Sequence, residues 1–130
     1  MRLLKEAGNI AVVGLSSNPA RPSHNVASYL KGMGYRIFPV NPHESEILGQ
    51  KSFASLDQIK EKIDIVDVFR KPAAAPEVIR QAVAIGAGAV WLQESVVSPE
   101  AFRIGEEAGL TMIMDRCMFK EHSRLIGDKK

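Results

Sequence analysis

The residues of this chain best suited to binding an anion stand in a turn after its first apolar run. Gly14 ends that run, and Ser16, Ser17 and Asn18 follow it. A glycine lets the backbone approach a phosphate closely, and the hydroxyl and amide side chains supply hydrogen-bond donors. A helix pattern starts near Ser23, so its free amides and positive dipole end would point to the same place. The pattern predicts a phosphate-binding turn, with a plain strand-to-helix turn as the alternative.

The same turn departs from the fingerprint of nicotinamide dinucleotide sites. That fingerprint needs three spaced glycines, and residues 14–19 contain only the first of them. Such sites also favour an acidic residue at the end of the second strand, where this chain has Val40, Asn41 and Pro42. Both departures disfavour an NAD-binding redox-sensing domain, which we keep as the weaker alternative.

Strand-like and helix-like runs alternate along the chain and would position this turn. We predict strands at Asn9–Val13, Arg36–Val40 and residues 64–69, 89–93 and 110–114. The interposed helix patterns predict an α/β fold, with a parallel five-stranded sheet covered by helices on both faces, in three layers. Trp91, in the fourth strand, is expected in the core with its indole N–H paired.

Helix boundaries come from capping residues and apolar spacing. We expect Ser23 to cap the first helix, and Ser55 with Gln58 to begin a short helix reaching Ile63. Pro76 suits the first turn of a helix whose apolar side includes Val83, and Ser98 starts another, with Ala108 facing inward. A last short helix begins near Met118. Residues 41–54 lack periodicity and are predicted to form a binding loop.

Composition bounds the class of protein. The chain has 130 residues, with 45% hydrophobic and 25% charged, which is typical of one soluble globular domain spanning residues 1–130. A net charge of +2, with dispersed lysines and arginines, does not indicate a nucleic-acid partner. We find no apolar stretch for a membrane span and no secretory signal. The single cysteine, Cys117, favours a reducing, cytoplasmic setting.

Polar residues follow every predicted strand, at the edge where open parallel sheets bind ligands. Arg70 and Lys71 follow the third strand, Gln93 and Glu94 the fourth, and Asp115 and Arg116 precede Cys117 after the fifth. Arg21, in the first loop, could hold a terminal phosphate.

Several blocks together resemble the small stand-alone CoA-binding proteins, which are similar to the CoA-binding domain of the succinyl-CoA synthetase α subunit. The resemblance covers nearly the whole chain. The blocks are residues 13–19 with 23–30, the tract 34–42 ending in Pro-Val-Asn-Pro, 64–70, 90–93 and 114–117. These proteins usually have a glycine soon after the Trp-Leu-Gln tract, where this chain has Ser95.

The resemblance implies a Rossmann-like, doubly wound fold that binds coenzyme A or an acyl-CoA, working as a monomer or weak homo-oligomer. By this implication Gly14, Ser16, Asn18 and Arg21 face the CoA phosphates, with Ser23 beside them. Val40, Asn41 and Pro42 border the adenosine, while Phe69 and Arg70 line the ligand's path. The candidate cofactor-binding set is Gly14, Leu15, Ser16, Ser17, Asn18, Arg21, Ser23, Val40, Asn41, Pro42, Phe69, Arg70 and Gln93.

Catalytic chemistry has weaker support in the sequence. Cys117 lies beside a cation near a helix start, which could lower its thiol pKa, but no triad spacing accompanies it. An enzyme acting on an acyl-CoA or another nucleotide-linked substrate through Cys117 or Glu94 is therefore the alternative to a binding module.

Metal and acid–base sites are not indicated by the spacing of the candidate residues. The three histidines, His24, His43 and His122, are far apart and predict no metal site. Asp64 and Asp67 are expected on opposite faces of their strand, so they do not form an acid–base pair. Asp115 is expected to pair with Arg116 or Arg70.

Overall fold

The five predicted strands form one parallel sheet. The computed structural model of the chain describes residues 2–94, 96–114 and 116–125. The sheet contains β1 (Asn9–Val13), β2 (Arg36–Val40), β5 (Ile65–Val68), β6 (Ala89–Leu92) and β7 (Thr111–Met114), in the order β2-β1-β5-β6-β7. Every pairing is parallel, so all five carboxyl ends lie at one edge. The strand order reverses between β1 and β5, which makes the fold a Rossmann-like α/β fold, as predicted.

Helices cover both faces of the sheet, and each face has its own core. The helices are α1 (Arg2–Glu6), α2 (Pro22–Gly32), α3 (Ala75–Ala84), α4 (Pro99–Glu107) and α5 (Met118–Leu125). One core contains Val26 and Leu30 of α2 with Met118 of α5, and the other contains Ile79 of α3 with Ala101 of α4. Strand residues alternate between the two cores because successive side chains point to opposite faces.

Two predicted local details are confirmed, one at a helix start and one in a strand. The Ser98 side chain accepts a hydrogen bond from the Ala101 amide and so caps α4. Trp91 is fully buried, and its indole N–H donates to the Arg116 carbonyl at 2.8 Å. The sequence also predicts inward positions for Val83 and Ala108, and this is wrong, because both side chains are exposed.

The prediction that Ser23 caps the first helix is wrong. The cap position is Arg21, two residues earlier, and the helix begins at Pro22; no side chain in the described part of the chain caps it. The Ser23 hydroxyl instead accepts a hydrogen bond from the Ser16 amide at 3.1 Å. The serine therefore stabilises the turn before the helix rather than the helix itself.

The segment predicted as a binding loop contains a small antiparallel hairpin. Its strands are β3 (Glu46–Ile47) and β4 (Gln50–Lys51), with Leu48 and Gly49 at positive φ in the turn. Ile47 is buried in the same core as α2, and Phe53 forms a bridge to Val40 at the sheet edge. The hairpin therefore covers the β2 edge of the sheet.

The helix predicted to reach Ile63 is a single 3-10 turn at Leu56–Gln58. The Gln58 side chain accepts from the Ala54 amide, while the Ser55 hydroxyl bonds Asp57 rather than capping the turn. The predicted capping box is therefore absent, because Gln58 bonds the residue before Ser55, and the chain leaves the helical path at Ile59. Helix α1 was not predicted.

Candidate functional site

A cleft runs along the carboxyl edge of the sheet, where β1 and β5 end. Four cavities of about 270 to about 500 Å³ form it, and each shares Gly14, Phe69 or Arg70 with another of them. We call this feature the carboxyl-edge cleft. It lies at the point where the strand order reverses, which is the usual ligand position in open α/β sheets. Its lining residues are Val13, Gly14, Ser16, Arg21, Pro22, Ser23, Val26, Val40, Asn41, Pro42, His43, Ala54, Ser55, Phe69, Arg70, Lys71, Ala74, Glu77, Val78, Gln81, Gln93, Glu94, Val96 and Cys117.

Gly14 is required by the local geometry of this cleft. Its φ is +89°, and a Cβ at this position would lie 2.4 Å from the Phe69 carbonyl oxygen and 3.1 Å from Arg70 Cδ. Only glycine avoids both the backbone strain and this clash. The sequence predicts that Gly14 lets the backbone approach an anion closely. The structure adds that the residue lets the β1 and β5 ends approach each other.

The turn after Gly14 is held by its own side chains. The Ser16 amide donates to Ser23 Oγ, the Asn18 amide to Ser16 Oγ at 3.0 Å, and the Ala20 amide to Asn18 Oδ1 at 2.9 Å. These short-range bonds give the turn its shape without a ligand. A turn formed in advance loses little conformational entropy when it binds.

Asn41 ties the end of β2 to the same turn. Its Nδ2 donates to the Leu15 carbonyl at 2.9 Å, and its Oδ1 accepts from the His43 amide at 2.8 Å. The side chain predicted to border an adenosine is therefore occupied in joining two loops of the cleft. Leu15 itself is fully buried in the core, so its side chain does not face the cleft.

Three exposed cations line the cleft. Arg21 lines the cavity at the turn, Arg70 lines three of the four cavities, and Lys71 lines the one that also contains Cys117. None of the three forms a salt bridge within residues 2–94, 96–114 and 116–125. Their charges are thus available to an anionic ligand.

The far end of the cleft contains the candidates for chemistry. Its cavity, of about 500 Å³, is lined by Gln93, Glu94 and Cys117 together with apolar Pro22 and Val26. Cys117 is half-buried, and its carbonyl accepts from the Glu121 amide in the first turn of α5. The thiol therefore lies at the N-terminus of α5, facing the cleft.

Gln93 and Glu94 are already bonded at this end. Gln93 is buried, and its Oε1 accepts from the Met118 amide at 3.1 Å, so it fixes the start of α5. Glu94 is exposed and forms a salt bridge with Lys120 at 2.9 Å. The hydrogen bond and charge of Glu94 raise the pKa of Lys120. A paired, solvated carboxylate is poorly suited to act as a general base.

Ten of the thirteen predicted site residues line the carboxyl-edge cleft. Leu15, Ser17 and Asn18 are the exceptions, and they contribute to the turn through their backbone and local hydrogen bonds. Sequence reasoning missed His43, which lines the cleft, and Glu44, whose carboxylate accepts from the Ser17 amide at 3.1 Å. Their position just after Asn41 was the available signal. Ser95 and Asp115 lie outside the described residues, and so does the predicted pairing of Asp115.

Two ionisable groups lie in the core rather than in the cleft. Asp67 is fully buried in β5, and its carboxyl oxygens have no hydrogen-bond partner among the described residues. Burial raises the pKa of Asp67 well above its ordinary value. Asp64 instead accepts hydrogen bonds from the Gly8 and Asn9 amides, each at 2.9 Å. The two carboxyl groups therefore lie in separate environments and do not form a pair for acid–base catalysis.

His122 is buried between α5 and α2. Its Nδ1 is 2.8 Å from the Tyr29 hydroxyl, and Nε2 has no partner in the part of the chain that the structure describes. Burial lowers the pKa of His122. His24 is half-buried at the start of α2, and His43 is exposed in the loop after β2. Within the described ranges, no three His, Cys, Asp or Glu side chains cluster as metal ligands would.

A further cavity, of about 440 Å³, lies away from the cleft between β7 and α5. Met112, Ile113 and Arg124 contribute to its lining. No helix among the described residues has the length and hydropathy needed to cross a membrane.

The fold and the cleft define a Rossmann-like α/β protein with a ligand site at its strand-order reversal. A family model described as a CoA-binding domain matches residues 8–123. The chain therefore belongs to the family of CoA-binding domains. Its fold and this membership agree with the resemblance noted in the sequence.

The chain matches relatives of about its own length and also a short part of much longer proteins. Protein YneT of Bacillus subtilis (strain 168) is 41% identical over 121 residues, covering 93% of this chain and 90% of YneT. A solved structure of a protein from Pyrococcus horikoshii OT3 is 41% identical with a TM-score of 0.95, covering 97% of this chain and 89% of that one. An ADP-forming acetate–CoA ligase of Archaeoglobus fulgidus is 29% identical over 94 residues, which are 71% of this chain but 14% of the ligase.

Proposed function

We propose that the chain binds coenzyme A or an acyl-CoA in the carboxyl-edge cleft and acts as a single CoA-binding domain without catalysing a reaction alone. One observation carries the proposal. A preformed turn opens into a cleft at the strand-order reversal, and three cations that form no salt bridge with any described residue line this cleft, in a chain of the CoA-binding family.

The phosphates of the ligand are proposed to lie near Gly14, Ser16 and Arg21. Arg70 is the main cation for them because it faces three of the four cavities. A guanidinium can bind phosphate oxygens through two parallel N–H bonds, which fixes orientation as well as supplying energy. Ser23 contributes indirectly, since its hydroxyl is used to hold the Ser16 amide.

The nucleoside and the pantetheine arm are proposed to leave the turn in opposite directions. Val40, Asn41 and Pro42 border the cavity that would hold the adenosine, on the β2 side. Phe69 then leads to the cavity of Cys117 and Gln93, where the thiol end of the ligand would lie. The apolar Pro22 and Val26 suit the uncharged arm there.

A second candidate is an enzyme that uses Cys117 as a nucleophile toward an acyl-CoA. The observation that favours it is the position of Cys117, which lines the cleft at the N-terminus of α5. A Cys117→Ser variant separates the two functions. A binding module keeps its CoA affinity and acquires no defect, whereas the enzyme loses turnover of acetyl-CoA.

The ligase of Archaeoglobus fulgidus includes far more than this chain, which spans 14% of it. Its reaction is therefore not carried over. Only the binding of CoA is proposed to be shared.

Calorimetry against CoA, acetyl-CoA, NAD and ATP tests the proposal. CoA or acetyl-CoA should bind and raise the unfolding temperature, and NAD should not. Ligand at a hundredfold excess over its Kd should stabilise the fold by about 2.7 kcal/mol. Binding of NAD with no response to either CoA species would overturn the proposal.

A further inference from the structure

The Ser17 amide is held by a carboxylate from outside the first turn. The amides of Ser16, Asn18 and Ala20 bond side chains of residues 16–23. The Ser17 amide donates to Glu44 Oε2 at 3.1 Å, across 27 positions of the chain. A carboxylate thus occupies a backbone N–H of the turn next to Ser16, near which the ligand phosphates are proposed to lie.

The backbone of Glu44 is held by its own loop, whereas its carboxylate is held by Ser17. The Asn41 side chain bonds Leu15, and the Glu44 amide lies 3.4 Å from the Asn41 carbonyl, which closes a tight turn. Beyond it, the hairpin is anchored by buried Ile47. Glu44 forms no salt bridge with any described residue, so its carboxylate is held by Ser17. Side-chain rotation alone can therefore free the Ser17 amide.

Glu44 is an anion at neutral pH. The hydroxyl and the amide of Ser17 stabilise its charged form and lower its pKa. A single N–H cannot donate to a carboxylate and a phosphate at once, and two anions next to the same N–H repel each other. The carboxylate and a phosphate at this turn therefore exclude one another.

We propose that Glu44 is an intramolecular competitor that the phosphate of the bound ligand must displace from Ser17, so that this carboxylate sets the affinity of the cleft. The inference rests on the proposed CoA function. It assigns to the loop after β2 a role opposite to that of the acidic residue in NAD sites. In NAD sites the acidic residue binds the ribose. In this chain Glu44 competes with the ligand phosphate and must rotate away from Ser17 before the phosphate binds.

Binding of CoA to four purified proteins tests this role by calorimetry. Glu44→Gln keeps an acceptor without the charge, and Glu44→Ala removes both. Glu46→Gln is the matched control, because Glu46 is exposed two residues further on and has no bond to the turn. Both Glu44 variants should bind CoA roughly three- to tenfold more tightly than the native chain. The control should bind like the native chain.

Amide NMR supplies a readout independent of affinity. In the free protein the Ser17 amide resonance should move as the Glu44 carboxyl titrates, and in the CoA complex this movement should vanish. Weaker or unchanged binding by both Glu44 variants, or a Ser17 titration that persists in the complex, overturns the inference and leaves the proposed function standing. Absence of CoA binding in all four proteins overturns both.

Discussion

Arg70 is the side chain whose loss should most weaken ligand binding. Its exposed guanidinium lines three of the four cavities and has no salt-bridge partner among the described residues. Hydrogen bonds to charged groups contribute about 1.5–3 kcal/mol. Arg70→Gln should therefore raise the Kd for CoA by roughly 10- to 100-fold in calorimetry.

The matched control for this variant is Arg103→Gln. Arg103 is an exposed arginine on α4 that is paired with Glu107 and does not line the cleft. The Arg103→Gln variant should leave the Kd for CoA unchanged. Equal effects of the two substitutions would mean that net charge, rather than a contact in the cleft, controls affinity.

Gly14 should matter for stability before it matters for binding. Its added Cβ would meet the Phe69 carbonyl at 2.4 Å, in addition to the cost of a positive φ. Gly86 also has a positive φ, of +74°, but nothing lies within 4 Å of its Cβ position. Gly86→Ala should cost about 1–2 kcal/mol, which is the backbone term alone.

Gly14→Ala should lower the free energy of unfolding further than Gly86→Ala, by an extra ~1–3 kcal/mol. Urea unfolding of both variants measures this difference. Equal losses would show that the β1 and β5 ends can separate to accept a methyl group. For the same reason, a loss of CoA binding on substitution of Gly14 is meaningful only if the variant stays folded.

Asp67 makes the fold less stable as the pH rises. Its folded pKa is raised by burial, so its contribution is fully present below the unfolded pKa of about 3.9 and is lost above it. The loss approaches about 1.4 kcal/mol per pH unit while the folded group stays protonated and the unfolded one is ionised. Asp67→Asn should flatten this pH dependence in urea unfolding between pH 4 and 7.

The exposed Asp57→Asn serves as the control for Asp67, since it removes a carboxylate without changing the core. It should keep the native slope. If the Asp67 variant also kept the native slope, its carboxyl would have to be ionised or solvated in the folded chain.

At the scale of elements, His122 joins α5 to α2. Its ring bonds the Tyr29 hydroxyl and meets the Tyr29 and Tyr35 rings edge-on, at 5.4 and 5.7 Å between centroids. Burial lowers its pKa, so its contribution is present above the unfolded pKa of about 6.5 and is lost as the pH falls through the folded value.

His122→Gln should therefore destabilise the chain at pH 8, and the difference from the native chain should shrink toward pH 5. Urea unfolding at several pH values measures it. His43→Gln, at an exposed loop histidine, should show no such trend. A difference that stays constant with pH would mean that His122 is not titrating in this range.

The strands were predictable because each is a short, mainly apolar run that is followed by polar residues. β1 and β2 have the expected bounds, because short apolar runs of this kind are typical of parallel strands that are covered on both faces. The hairpin was not predictable. Its two-residue strands have no periodicity, and its turn places Leu48, rather than asparagine or aspartate, at positive φ.

The candidate site was predictable where residues follow a strand directly, as Gly14 and Arg70 do. Contacts between distant loops leave no local pattern in the sequence. The bond from Ser17 to Glu44 is of this kind. The bond from the Ser16 amide to Ser23 is local, and it was missed for a different reason. A hydroxyl near a helix start fits two roles equally well in the sequence, and only the tertiary structure decides between them.

At the scale of the whole molecule, one sheet is shared by two cores. Ala11 and Val13 of β1 enter one core, while Ile10 and Val12 enter the other. Neither core can lose its strands without exposing the other. This arrangement favours a single cooperative unfolding transition.

The only tryptophan, Trp91, is fully buried in β6 and reports directly on the sheet. Its emission and the far-UV circular dichroism should therefore change at the same urea concentration. CoA at a hundredfold excess over its Kd should add about 2.7 kcal/mol and move both midpoints equally, by roughly 1–2 M, with no change in slope. Separate midpoints would show that the cores unfold independently. A shift in only one signal would mean that the ligand stabilises one side of the sheet rather than the whole fold.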